Sequence, residues 1–170
     1  MNSYSPKKNS KAKLSALALI LLSVVIAAAG GRVNSGGGIF SVMAMVLLVA
    51  ALYITTKFII ASYTYEISGD DLLVHKTIGA KKSTIASISL KTGYGVMKKP
   101  KTKEEKDVFS ARFGHTDLRL GFLQNIGAEV YVYVTEFNGK KYEIYLETGE
   151  EFAHAIEDAV ISARKLTDNE

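Results

Sequence analysis

The fold is decided by the stretch AEVYVYVTEFNGKKYEIYLE, residues 128–147. β-branched and aromatic residues alternate in the segment before Asn138-Gly139, a dipeptide that favours the positive φ angles of a type I′ turn. Tyr142, Ile144 and Leu146 fall on one face of the returning segment. The stretch therefore predicts an antiparallel hairpin of two strands, 128–137 and 140–147, with one buried face.

The spacing of the apolar residues changes directly after this hairpin. Thr148 and Glu151 have the spacing of a capping box, and Arg164 and Lys165 suit the C-terminal end of a helix dipole. We expect an amphipathic helix here that covers the open end of the sheet. Its apolar stripe consists of Phe152, Ile156, Ala159, Val160 and Ala163.

Upstream of the hairpin, segments with period-two alternation are separated by turn residues, which is typical of short antiparallel strands. Together with the hairpin they predict about seven antiparallel strands in a bent sheet or barrel, closed by the C-terminal capping helix. Residues 91–107 are the most polar stretch and are interpreted as an exposed loop with one or two irregular strand ends. The candidate strands are YTYEIS (63–68), LLVHKT (72–77), STIASISL (83–90), VFSARF (108–113) and LRLGFLQ (118–124).

Turn residues set the register of the first strands. Gly69-Asp70-Asp71 predicts one hairpin turn, and residues 78–81 predict a second. Ile85, Ile88 and Leu90 are core candidates, but Ile85 is out of register with Ile88. A β-bulge near Ala86-Ser87 is therefore expected.

Two apolar runs occupy the first third of the chain. The first extends over the 16 residues from Leu14 to Ala29, and the second has no charged residue from Ile39 to Thr56. Helices of this length come close to or reach the thickness of a hydrocarbon core of about 30 Å. Acidic residues, His, Asn and Gln are absent from both runs, so neither helix offers a proton relay or an ion site.

The distribution of charge orients these helices. Residues 1–62 carry five Lys, one Arg and no acidic residue, and four of the Lys precede the first run. Only Arg32 lies between the runs, so the positive-inside rule places both termini in the cytoplasm. One alternative stays open, because a basic start, a short apolar stretch and Ala27-Ala28-Ala29 are also typical of a cleaved signal peptide. The predicted segments are a basic cytoplasmic N-terminus (1–13), transmembrane helix 1 (14–31), a Gly-rich external loop (32–38), transmembrane helix 2 (39–62) and a cytoplasmic domain (63–170).

Residues at the end of the second run predict where the membrane ends. Lys57 is expected at the level of the headgroups with its stem along the helix, and Tyr53, Tyr63 and Tyr65 are expected near an interface. Small side chains predict that the two helices pack closely on each other. These small residues include Ser41, Ala44, Ala50 and Ala51.

The order of seven strands and a C-terminal helix resembles the pleckstrin-homology-like (PH-like) domains that bacterial proteins attach to membrane helices. YEISGDDLLVHKTIGAKKSTIASI looks like the first part of such a domain, and YVTEFNGKKYEIYLETGEEFAHAIEDA looks like its last hairpin and helix. RFGHTDLRLGF is similar to a segment of one subfamily, in which Gly114 and Gly121 match. Gly149-Glu150 stands where the family usually has a Pro. The resemblance covers residues 63–165 and implies a PH-like fold with a binding or scaffolding role at the inner membrane.

Catalytic and metal-binding patterns are absent from the sequence. The chain has no Cys, and His75, His115 and His154 lie far apart and are interpreted as ordinary polar surface. Neither a nucleophile motif nor a phosphate-binding loop occurs. We therefore expect no enzymatic activity, no cofactor and no catalytic, cofactor-binding or metal-binding residues.

The remaining site-like feature is a run of lysines within residues 91–107. Such residues can contact anionic lipid headgroups, but Glu104, Glu105 and Asp107 reduce the charge, and a solvated loop is the alternative. Nucleic-acid binding is not expected, because Tyr94 is the only aromatic residue among the lysines. The candidate lipid-contact residues are Lys98, Lys99, Lys101, Lys103 and Lys106.

The expected function is a membrane-anchored binding or scaffold module that acts at the cytoplasmic face of the bacterial membrane through a protein partner. Its other expected contacts are with the lipid bilayer and with anionic lipid. Two alternatives stay open, an immunity or stress-protection factor of the membrane and a small transport or channel subunit. The channel subunit would need polar pore residues, which the apolar runs lack.

Overall fold

The computed structural model describes residues 2–32 and 37–167. The chain divides into two compact units. The first contains residues 8–62 and 124–126, and the second contains residues 1–7, 63–123 and 127–170. The residues that precede the helix pair and those that follow it therefore belong to the same unit, the second one.

Two long apolar helices make up most of the first unit, as the sequence predicts. Helix α1 is Lys11–Gly30, and helix α2 is Gly37–Ile54, which continues as a π-helical segment, Thr55–Ile60. Both are long and apolar enough to cross a membrane. The predicted Gly-rich loop 32–38 extends two residues too far, because α2 already begins at Gly37. Residues 33–36 of that loop lie outside the described residues.

The two helices pack against each other in an antiparallel pair. The Lys8 Nζ donates to the Ile59 carbonyl oxygen at 2.5 Å, which joins the chain just before α1 to the end of the second apolar segment. Small side chains allow such helix backbones to approach closely. Ser41 is exposed and Ala50 half-buried, so the small-residue prediction holds for only part of its set. The buried residues of α1 and α2 are Ala12, Ala16, Ser23, Gly30, Ala44 and Ala51.

Lys57 lies on the surface of the π-helical segment. Its Nζ donates to the Tyr53 hydroxyl at 3.0 Å and lies 5.4 and 5.2 Å from the ring centroids of Tyr53 and Phe58. The ammonium group is thus held against aromatic faces. The Thr55 hydroxyl also donates to the Ala51 carbonyl oxygen at 2.8 Å, a bond that competes with the regular helical pattern near the π-helical turn.

The first sheet has four strands in the order β1-β2-β3-β4. Both predicted turns are present, and Gly69 and Gly79 each have a φ of 59°. Glycine adopts this left-handed conformation without a steric penalty. The strands are β1 Ser3–Tyr4, β2 Ala61–Ser68, β3 Asp71–Ile78 and β4 Lys81–Ser89.

The predicted bulge in β4 is present one residue before the expected position. Val74 pairs with Ala86 and His75 with Thr84, so Ile85 is the extra residue. Ile85 is 43% exposed and the prediction that it is a core residue is wrong. A bulge takes one side chain out of the alternation, which explains why this isoleucine lies outside the core.

Strand β1 has no counterpart in the sequence predictions. Tyr4 pairs with Tyr65, and its ring stacks on the ring of Phe152 with 5.7 Å between centroids. Tyr63 and Tyr65 are 8% and 0% exposed in the main core, so their rings pack in the protein and are not available for the contact with an interface that the sequence suggested. Alternation within β2 directs both rings into the same core.

The second sheet has the strand order β5-β7-β8-β6. The predicted hairpin is confirmed as β7 and β8, and Asn138 and Gly139 have the positive φ values of 52° and 71°. Strand β6 pairs parallel with β8, which corrects the expectation that all strands are antiparallel. It is reached through a helix and not through a tight turn, so its direction is not fixed by a hairpin. The strands are β5 Gly93–Lys98, β6 Leu118–Phe122, β7 Tyr131–Phe137 and β8 Lys140–Leu146.

Helix α3, Lys103–Phe113, corrects two predictions. The polar stretch 91–107 contains a strand, as expected, but it is not mainly a loop, because β5 has six residues and α3 starts at Lys103. VFSARF (108–113) is helical and not a strand. A capping box starts the helix: the Glu105 N–H donates to Thr102 Oγ1 at 3.2 Å, and the Glu105 carboxylate accepts from the Thr102 N–H at 3.0 Å. These two bonds satisfy backbone donors that a helix start otherwise leaves without partners.

The second sheet is covered on both faces. Phe109 and Phe113 of α3 pack against Val132 and Val134 on one face of β7. The opposite face contributes to the main core together with the C-terminal helix α4, Glu150–Thr167. Residues 131–135 are consequently all buried, whereas a strand with one face in solvent would bury only every second residue.

Helix α4 confirms the predicted C-terminal amphipathic helix. Phe152, Ile156 and Val160 are at most 3% exposed and belong to the main core. The predicted capping box at Thr148 is wrong, because the helix begins at Glu150 and the Thr148 hydroxyl donates to the Gly149 carbonyl oxygen. In the described ranges, the eight strands form two four-stranded sheets and not a closed barrel.

Candidate functional site

The structure separates the five lysines that the sequence analysis singled out. Lys98 ends β5 and forms an ion pair with Glu129, whose hydrogen bond raises the pKa of this lysine. Lys101 precedes α3 and Lys103 begins it, and both are exposed. Lipid contact stays a prediction for all five residues. The two that line one cavity together are Lys99 and Lys106.

This cavity lies between α3, the segment that follows it and the outer face of the second sheet. We call it the α3 groove. Its volume is about 610 Å³, within the usual range of small-molecule sites. Its charged and hydroxyl-bearing side chains include Lys99, Lys106, Thr116, Arg119, Glu143 and Tyr145.

Glu143 is the buried carboxylate of the α3 groove and is 4% exposed on strand β8. The Thr116 hydroxyl donates to its Oε1 at 2.5 Å, and the Arg119 Nε lies 3.0 Å from its Oε2. The Tyr145 hydroxyl donates to the same Oε2. Three donors and one guanidinium charge therefore offset the cost of burying this carboxylate.

Tyr145 is held in its donor form. Burial, together with the hydrogen bond to the Glu143 carboxylate, raises the pKa of Tyr145 to about 12. The phenol is therefore protonated at neutral pH and donates to the carboxylate. Lys99 Nζ lies 5.4 Å from the centroid of the Tyr145 ring, in range of a cation–π interaction.

The net charge of the α3 groove is positive. Within residues 2–32 and 37–167, neither Lys99 nor Lys106 forms an ion pair, and Arg119 pairs with Glu143 alone. The Arg119 side chain is 72% exposed, so its remaining N–H groups face solvent. One buried negative charge thus stands beside three cations, of which two are not compensated.

The segment after α3 is fixed in place by strand β8. Gly114 ends the helix with a φ of 72°, and its N–H donates to the Ser110 carbonyl oxygen at 2.8 Å. The Lys141 Nζ donates to the Phe113 carbonyl oxygen at 3.0 Å, and its backbone N–H donates to the Asp117 carboxylate at 2.8 Å. These bonds hold the wall of the groove that carries Thr116 and Arg119.

Helix α3 itself is fixed to β5 and α4 through one carboxylate. Arg112 Nη2 donates to Glu157 Oε1 at 2.5 Å, and the Val96 N–H donates to Glu157 Oε2 at 3.1 Å. Gly95 has a φ of 139°, a conformation that favours glycine, and a Cβ atom there would lie 3.1 Å from Arg112 Nη2. The groove is therefore formed by elements with several mutual hydrogen bonds.

The three His residues lie in different environments. His75 is 8% exposed between Glu66 and Thr84, at 3.1 Å from Glu66 Oε2 and 3.0 Å from Thr84 Oγ1, so its interpretation as ordinary surface is wrong. His115 lines the α3 groove, and His154 is exposed on α4. In the part of the chain that the structure describes, no group of three or more potential metal ligands is present.

Sequence reasoning missed Thr116, Arg119, Glu143 and Tyr145 as site residues. Alternation along β8 correctly places Glu143 opposite the core face, but only the presence of α3 makes that second face a groove. One local signal was available: Thr102 and Glu105 have the capping-box spacing directly before KEEKDVFSARF.

Comparison with known proteins does not assign the chain to a family. No family model matches the sequence, and no curated protein matches it. The resemblance to PH-like domains therefore stays a prediction. Function is inferred from the helix pair, the β-rich unit and the α3 groove.

Proposed function

We propose that this protein is a membrane-anchored binding module of the PH-like type. Two helices hold a β-rich domain at the cytoplasmic face of the bacterial inner membrane, where the domain binds a protein partner. The observation that carries the proposal is the pairing of β1 with β2 in one sheet.

Strand β1 precedes the helix pair in sequence, and strand β2 follows it. Their pairing requires both ends of the helix pair to lie on the same side of a membrane, as they do when the chain crosses twice. The cluster of Lys residues before α1 favours the cytoplasm as that side. This cluster consists of Lys7, Lys8, Lys11 and Lys13.

The same pairing supports retention of α1 rather than its removal as a signal peptide. Cleavage after Ala29 would remove Tyr4 together with its stacking contact on Phe152. It would also leave β2 as an open sheet edge, which natural proteins avoid. A retained helix keeps this edge covered.

A partner-binding role is supported by the surface of the β-rich unit. Strand β4 is one of the two edge strands of the first sheet. Residues 83–89 of β4 carry no charge, and exposed sheet edges of this kind can accept an additional strand from a binding partner. The helix pair, in contrast, presents apolar side chains suited to lipid.

Cysteine labelling tests the topology, because the chain contains no Cys. We expect Ser68→Cys to react with a membrane-impermeant maleimide only after cells are permeabilised, and Ser35→Cys to react in intact cells. Labelling of Ser68→Cys in intact cells would contradict the cytoplasmic location. The intact mass of the purified protein shows whether α1 is retained.

Photo-crosslinking tests the partner. A photoreactive amino acid in place of Ser87, exposed on β4, should give a discrete protein adduct in native membranes. The matched control is the same substitution at His154, whose side chain is 73% exposed on α4. The absence of an adduct at Ser87, or the same adduct at both positions, would contradict binding at the β4 edge.

A further inference from the structure

The α3 groove presents more hydrogen-bond donors than acceptors. Both oxygens of its one carboxylate, Glu143, already accept bonds from Thr116, Tyr145 and Arg119. The ammonium groups of Lys99 and Lys106 remain on the lining. A ligand that satisfies such a site must supply acceptors and negative charge.

The groove also has an apolar part. Phe109 of α3 and Val132 of β7 line it, together with the ring of Tyr145 and with Pro100. Small-molecule sites typically combine a largely apolar lining with a few polar groups that orient the ligand. The size and lining of the groove therefore fit a compact molecule with one apolar and one anionic end.

We propose that the α3 groove binds a small organic anion, a carboxylate or phosphate ester with an apolar part, through Lys99, Lys106 and Arg119. Glu143 positions this site, because its carboxylate holds the Arg119 Nε at 3.0 Å and orients the remaining guanidinium N–H groups. All the groups named lie in one compact unit, so the proposal does not depend on the membrane topology or on the protein partner.

The two groove lysines belong to the run that the sequence analysis linked to lipid. A phosphate ester can come from a soluble molecule or from a lipid headgroup, and both offer the same chemistry to Lys99 and Lys106. Lys101 and Lys103 come from the same run but do not line the groove. They therefore provide a control of equal charge and nearly equal position.

The test uses the full-length protein in phosphatidylcholine nanodiscs, with phenyl phosphate and benzoate as anionic probes and phenol as the neutral analogue. Dissociation constants are measured by ligand-observed NMR. We expect both anions to bind more tightly than phenol. Replacing Lys99 and Lys106 by Gln should weaken anion binding by about tenfold or more, because charge-assisted hydrogen bonds are lost.

The control variant carries Lys101→Gln and Lys103→Gln and should bind the anions as the parent does. The proposal is overturned if neither anion binds, if phenol binds as tightly, or if the control variant loses as much affinity as the groove variant. Unchanged thermal unfolding of both variants shows that the fold is preserved. These outcomes are independent of the labelling and crosslinking results.

A second set of nanodiscs containing phosphatidylglycerol identifies the source of the anion. If a headgroup enters the groove, the affinity for phenyl phosphate should fall in these nanodiscs through competition. The Lys99→Gln, Lys106→Gln variant should then show no such difference between the lipids. An affinity independent of lipid composition assigns the site to a soluble anion.

Discussion

The helix pair and the β-rich unit bury opposite kinds of side chain. The helices enclose Ala, Ser and Gly, while Leu17, Val24 and Leu52 on their surface are 54%, 60% and 64% exposed. The β-rich unit instead encloses Tyr65 and Phe152, both 0% exposed. Water drives large apolar groups inward, whereas lipid allows them outside and rewards close backbone contact. The two units therefore follow different packing rules, and the rule of the helix pair is the one expected of helices in lipid.

The largest effect is expected when a large apolar side chain is removed from the core of the β-rich unit. Phe152→Ala removes a ring that is fully buried and stacked on Tyr4, so the free energy of unfolding of this unit should fall by about 3–5 kcal/mol. Urea unfolding followed by near-ultraviolet circular dichroism measures it. His154→Ala, an exposed change on the same helix, should leave the transition in place. A Phe152→Ala transition equal to that of the parent would show that α4 does not complete the core.

Alkaline pH should also separate the two units. Burial raises the pKa of Tyr133 to about 12, above its ordinary value of 10.0. The folded state therefore binds this proton more tightly than the unfolded state, so the stabilisation is complete below pH 10 and is lost as the pH rises towards 12. Two pKa units correspond to about 3 kcal/mol.

We expect the near-ultraviolet signal of the β-rich unit to melt over this pH range while helical far-ultraviolet signal from the helix pair persists. The described residues buried within α1 and α2 are not ionisable. Tyr133→Phe removes one titrating hydroxyl, which donates to the Ser89 carbonyl oxygen at 2.9 Å, and should make the dependence less steep, while Tyr145 keeps its own contribution. An equally steep loss in the variant would assign the transition to other groups.

The smallest effect is expected when a small buried side chain of the helix pair is replaced by a large one. Ala51→Leu places extra methyl groups at a residue that is 2% exposed, and overpacking should cost about 1–3 kcal/mol. The neighbouring Leu52→Ala, on the exposed surface, is the control and should have less effect. The resistance of the helix pair to unfolding by SDS in mixed micelles measures both. Equal tolerance of the two changes would mean that close contact at Ala51 is not needed.

The sequence predicts most elements whose signal is local. The Asn138-Gly139 hairpin, the apolar stripe of α4 and the bulge of β4 all depend on residues within one or two turns of each other. Helix α3 was missed because VFSARF also fits a short strand, and its capping box lies in a stretch dominated by charge. Strand β1 has only two residues and carries no periodicity at all.

The candidate site is less predictable than the fold because it is assembled from distant parts of the chain. Lys99, Thr116 and Glu143 come together only when α3 crosses the outer face of the second sheet. Glu143 in an alternating strand is expected to face solvent, and its burial depends on an arginine and two hydroxyl groups elsewhere. The run of lysines includes two residues that line the α3 groove, but it gave equal weight to residues that the structure separates.

The pairing of β1 with β2 depends on the order in which the chain is synthesised and folds. Tyr4 leaves the ribosome 61 residues before its partner Tyr65, and the intervening chain contains the helix pair. Once the helices have paired, the contact of Lys8 with Ile59 shortens the effective loop to about ten residues and lowers the entropic cost of closing it by roughly 1–2 kcal/mol. Prior pairing of the two helices therefore favours completion of the sheet. A chain whose helices fail to pair keeps β2 as an open sheet edge, which exposes it to aggregation and proteolysis.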